Sequence, residues 1–107
     1  MPPIMCRQGD VLLVEVEELP SQLEPVPREF GRLVLAHGEA TGHAHVLEGE
    51  AQLLGADLRE MEQRFLRVEA ESSLVHEEHA TVSVPPGNYR VVRQREYGPT
   101  YNRFVAD

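Results

Sequence analysis

The apolar residues of this chain come mostly in runs of four to seven, each closed by glycine, proline or a cluster of charge. Runs of that length suit β-strands and are too short for packed helices. Residues 10–18 read DVLLVEVEE. There Leu12, Val14 and Val16 alternate with Leu13, Glu15 and Glu17, which predicts a strand with one clearly apolar face. Residues 19–27 hold three prolines and must be a loop. RLVLAH (32–37) predicts a second strand, Gly38 to Gly42 a turn, and HAHVLE (43–48) a third strand. Gly49-Glu50 is a short turn signal, with Ala51 to Leu54 as its hairpin partner. ADLREMEQ (56–63) is the only stretch with helical character, either a turn or two or a long loop. RFLRVE (64–69), SLVH (73–76), TVSV (81–84) and YRVVRQREY (89–97) predict further strands, and EEHA (77–80) breaks the alternation. Pro85-Pro86-Gly87-Asn88 marks a turn, Gly98-Pro99 a break, and Tyr101 to Val105 a last edge strand. The sum is an all-β fold, a small barrel or sandwich of about eight short strands.

With 107 residues the chain has room for one domain, residues 1–107. Its core would be mostly Val and Leu, because it holds three Phe, three Tyr and no Trp. Such a core is small, and an apolar edge such as Val11 to Val16 invites pairing, so a homo-oligomer is expected. The net charge of −8 opposes binding to a phosphate backbone, so nucleic acid is excluded as a free-standing partner. No run approaches 18 apolar residues, and the proline-rich start is too short for a signal peptide. The expectation is a soluble cytoplasmic protein with no membrane partner. A single cysteine, Cys6, rules out an intrachain disulfide and a multi-thiolate zinc site. All ten basic residues are Arg and Ile occurs once, a bias that suggests a GC-rich bacterial gene.

The five histidines carry the chemical information. His43 and His45 are two apart in a predicted strand, so both imidazoles leave one face, and Leu47 continues that face inward. His76 and His79 flank the break in alternation, where a turn can aim both at one point. Imidazoles with water or a carboxylate form an open set for zinc, iron, manganese or nickel, and imidazole alone does not choose among them. The expected metal ligands are His43, His45, His76 and His79, with His43, His45 and His79 as the core. His37 is left out, because it ends its strand where solvent satisfies it. The alternative is a solvent-facing His-x-His pair and a solvated acidic turn. HEEH is not HExxH, so a metalloprotease helix is not supported.

Gly38-x4-His43-x-His45-x2-Glu48-x6-Gly55 resembles the first cupin motif, one residue short before the first His and one short before the Glu. That resemblance implies a small β-barrel with a metal held by the two histidines and Glu48. On strict alternation Glu48 leaves the opposite face. Pro85-Pro86-Gly87 is similar to the second motif, but His76 and His79 precede it and none follows. GDVLL (9–13), GEATGHAH (38–45), LVHEEH (74–79) and PPGNYRVVRQREY (85–97) together resemble small uncharacterised bacterial proteins, which implies no mechanism.

Arg93 and Arg95 share a predicted face with Tyr89, Val91 and Tyr97; the expectation is cross-strand pairing with glutamates, and the alternative is an anion or carboxylate site. No P-loop, GxGxxG or GxSxG occurs. Two readings follow. One is a metal-binding β domain, with an ion-activated water acting on a small-molecule substrate if it is an enzyme. The other is a non-catalytic acidic module that docks a basic protein partner and uses its histidines structurally or as pH sensors.

Overall fold

The computed structural model describes residues 3–38, 42–58 and 61–93. Within these residues the chain is all β, without a helix. The strands are β1 (Met5–Gln8), β2 (Val11–Val16), β3 (Glu24–Pro25), β4 (Leu33–His37) and β5 (Ala44–Glu48). They continue as β6 (Ala51–Leu58), β7 (Met61–Val68), β8 (Ser72–Val75), β9 (Val82–Val84) and β10 (Gly87–Arg93). A six-stranded sheet runs β1-β2-β10-β7-β6-β3 and a four-stranded sheet runs β4-β5-β8-β9, with antiparallel pairing throughout. The result is a sandwich-like fold, and the described strands close no barrel of the cupin kind. No helix of the described residues is long and apolar enough to cross a membrane.

The core lies between the sheets. Val11 and Leu13 of β2, Leu66 of β7 and Leu53 of β6 meet Leu33 of β4, Leu47 of β5, Leu74 of β8 and Val84 of β9. Tyr89 of β10 is fully buried among them, and its hydroxyl donates to the Pro85 carbonyl at 2.7 Å. Burial pushes the Tyr89 hydroxyl up to about 12, with Cys6 and Glu15 adding to it. Removing one end from water while giving the other a partner is how a single aromatic fills a Val/Leu core.

Several sequence expectations change here. In β2 the buried residues are Val11 and Leu13, while Leu12, Val14 and Val16 are half-buried on the outer face. Both faces are apolar over this run, so alternation alone cannot orient it. Nor is β2 an edge, because β1 and β10 flank it. Ala51 to Leu54 does not pair with β5. The Gly49-Glu50 step carries the chain from one sheet to the other, and β6 pairs with β7. The stretch 56–63 is not helical. Residues 56–58 and 61–63 extend that hairpin, and residues 59–60 lie outside the described residues. β1 and the two-residue β3 were not foreseen. Thr41, Arg95, Tyr97 and the expected strand Tyr101 to Val105 also lie outside the described residues.

Candidate functional site

One end of the sandwich is polar inside. Register explains why: Val11 opposes both Gln8 of β1 and Arg93 of β10, so these two strand ends point inward together. From the facing sheet β5 contributes His45, which is 2% exposed, beside the equally buried Leu47. His43 precedes β5 and is half-buried. The β8–β9 connection brings His76 and His79 over the same end. The four rings form one cluster, with His76 at its centre. Its ring centroid lies 4.3 Å from His45, 4.6 Å from His79 and 5.7 Å from His43. His79 stacks at 5.8 Å from His45 and packs against Gly9, where a Cβ would sit 2.7 Å from its Nε2. Gly9 combines that close approach with a φ of +58°, two reasons for the absence of a side chain.

His43, His76 and Glu77 each offer a ligand atom within 4.8 Å of the others. Glu77 is fixed by the start of β5, whose Ala44 N–H donates to its Oε1 at 3.0 Å. That bond and one from its own N–H hold its carboxyl below the ordinary range. His76 Nδ1 accepts the Glu78 N–H at 3.0 Å. Glu78 Oε1 stands 3.9 Å from His43 Nδ1. Glu48 is exposed at the far end of β5, opposite Ser73, and is apart from this group. His37 is also apart: its ring is 64% exposed and its Nε2 meets Glu29 Oε1 at 2.9 Å.

Glu77 was not foreseen as part of the site, and neither were three further groups, Gln8, Asp10 and Arg93. Gln8 is 3% exposed, and its Nε2 donates to the carbonyls of Leu74 (2.8 Å) and Ala80 (3.0 Å). Its Oε1 therefore faces His45 Nδ1, 2.8 Å away, and accepts a hydrogen bond from the Nδ1–H. That leaves His45 Nε2 facing Asp10 Oδ1 at 3.3 Å. Asp10 Oδ2 accepts from Arg93 Nε at 3.0 Å, and the same guanidinium donates to the His37 carbonyl. Burial works to raise the Asp10 carboxyl, but Arg93, with a smaller contribution from His45, holds it below its ordinary 3.8. His45 is held below 6.5, first by burial and then by His76, against the pull of Asp10. Nothing in the sequence ties these partners to His45, which lies 35 positions after Asp10.

Neither curated proteins nor solved structures give a match to this chain. Residues 7–94 match a domain of unknown function, DUF8820. The matched span runs from β1 through the end of β10 and includes all four clustered histidines, Glu77, Asp10 and Arg93. The chain therefore belongs to the family of the DUF8820 domain of unknown function.

Proposed function

We propose that this chain is a divalent-metal-binding β domain whose first ligands are His43, His76 and Glu77. The observation that carries the reading is the approach of three ligand atoms to within 4.8 Å of one another, from two separate segments. Zinc–ligand bonds of about 2.0–2.2 Å would draw those atoms together by roughly 1 Å, within the reach of side-chain torsion. The cost is also small. His76 binds an ion through Nδ1, or through Nε2 once its proton has moved to Nδ1, and either way gives up the Glu78 N–H bond, a loss of about 1 kcal/mol. Structural zinc sites return about 10 kcal/mol or more. Glu77 is exposed and already a carboxylate at neutral pH, so it meets an incoming cation without first losing a proton. Three protein ligands leave a coordination position for water, which an ion would make acidic and nucleophilic. The donor set suits zinc, iron, manganese and nickel. It favours His76 over His79 as the partner of His43, the reverse of the order expected from spacing.

Zinc titration of tag-free protein by calorimetry tests this. His43→Ala and His76→Ala are expected to weaken zinc binding at least tenfold, and His37→Ala to leave it unchanged. A tightest zinc affinity left unchanged by both of the first two substitutions would exclude this ligand set. A wild-type chain that binds no zinc would return the acidic interaction module as the better reading.

A further inference from the structure

The contact between His45 and Asp10 pairs two acceptors. Gln8 spends both of its amide protons on the Leu74 and Ala80 carbonyls, so only its oxygen is left to face His45 Nδ1. The His45 proton therefore sits on Nδ1, and Nε2 presents a lone pair. That lone pair points at the carboxylate oxygen Asp10 Oδ1, 3.3 Å away. Two acceptors hold that separation only with something positive between them. A proton would make the pair an imidazolium–carboxylate bridge. A metal ion would make it a ligand pair, and the separation fits one: two ligands at about 2.1 Å on a tetrahedral ion stand about 3.4 Å apart. The surrounding bonds are those of a built site. Gln8 fixes the tautomer and the ring plane of His45, the arrangement in which a histidine presents its other nitrogen to a metal. Arg93 occupies Asp10 Oδ2, and Oδ1 is the oxygen that faces His45. Asp10 is 35% exposed, so an ion has an entry path, whereas His45 is closed off behind it.

We propose that His45 Nε2 and Asp10 Oδ1 form a second divalent-cation position, beside the one assigned to His43, His76 and Glu77, with water completing its coordination. The proposal deepens the metal-binding reading and predicts two ions per chain. The second ion binds more weakly than the first for two reasons. It has two protein ligands rather than three, and the Arg93 guanidinium on the other Asp10 oxygen repels it.

Zinc binding to tag-free full-length protein, followed by calorimetry and by metal content after dialysis, reads the stoichiometry. Wild type is expected to take two equivalents, the second at least tenfold weaker. Asp10→Asn is expected to lose the second and keep the first, and Glu77→Gln to weaken the first and keep the second. Because Asp10→Asn also removes the negative charge that Arg93 pairs with, a second measurement uses wild type alone. Nitrogen-15 spectra of the histidine side chains are expected to show His45 Nε2 shifting with the second equivalent. One zinc indifferent to Asp10→Asn, with His45 Nε2 unmoved, overturns the second position alone. One zinc lost in Asp10→Asn but kept in Glu77→Gln upholds the second position and overturns the first. No zinc in wild type overturns both.

Discussion

What a 2% exposed histidine can do is set by the groups that face its two ring nitrogens, and for His45 both of them, Gln8 and Asp10, come from far away in sequence. Its inward direction was legible, because His45 and Leu47 share a strand face. The tautomer was not, because it depends on where the Gln8 amide finds its two carbonyls. The same environment makes a pH prediction. The unfolded chain protonates this imidazole near its ordinary 6.5, whereas the folded chain resists until lower pH, first because of burial and then because of His76. Between those two values the unfolded state binds more protons, so stability falls as pH is lowered through the window. Asp10 has the depressed-carboxylate sign. Its contribution is present above 3.8 and is lost only as pH falls through its lower folded value, so the two effects separate along the pH axis. Urea unfolding in chelator is expected to show a midpoint that drops as pH falls below 6.5, and His45→Gln is expected to flatten the drop. Equal slopes in the two proteins would mean that His45 does not set this dependence.

At the scale of the strand, apolar runs and breakers located most elements, because a run that is buried on one face is marked in its own residues. Pairing is not marked there. Gly49-Glu50 has the length of a tight hairpin turn, yet β5 and β6 lie in different sheets. The reason is visible at Gly49. Its φ of +144° is a conformation that L side chains rarely adopt, and a Cβ there would overlap the Ser72 side chain at the start of β8. Ser72 is itself buried, with its hydroxyl donating to the Ala70 carbonyl at 2.9 Å, so it cannot swing away freely. ADLREMEQ misled for a different reason: it was read from its own residues, and the partner strand decides. Gly55 admits the Arg64 side chain, which a Cβ would approach to 2.6 Å, and this closeness lets β6 run on against β7. Gly49→Ala is expected to cost about 2–4 kcal/mol of stability from strain and overlap together. A urea midpoint within error of wild type would show that the crossover does not need its glycine.

Over the whole molecule, the candidate site sits where the two sheets meet. Gln8, Asp10 and Arg93 come from the six-stranded sheet and its β1–β2 turn, whereas His43, His45, His76 and Glu77 come from the four-stranded sheet and its connections. Unfolding separates these groups, so an ion held by them binds the folded chain and not the unfolded one. Linkage then sets the size of the effect: free zinc at about 100 times its dissociation constant adds about 2.7 kcal/mol. For a chain of this length that corresponds to a rise of about 10–20 °C in melting temperature. A nonspecific contribution must be separated from it, because the net charge of −8 means that any divalent cation relieves some self-repulsion. Calcium controls for this, since it shares zinc's charge but prefers oxygen ligands to imidazole. Scanning calorimetry is expected to show a large rise with zinc, reversed by chelator, and a small one with calcium at the same concentration. His43→Ala should cut the zinc rise to the smaller part that the His45–Asp10 position supplies, and His37→Ala should keep it whole. Equal rises with zinc and calcium would mean that the ions act on surface charge, and that the histidine cluster at the sheet junction holds no metal.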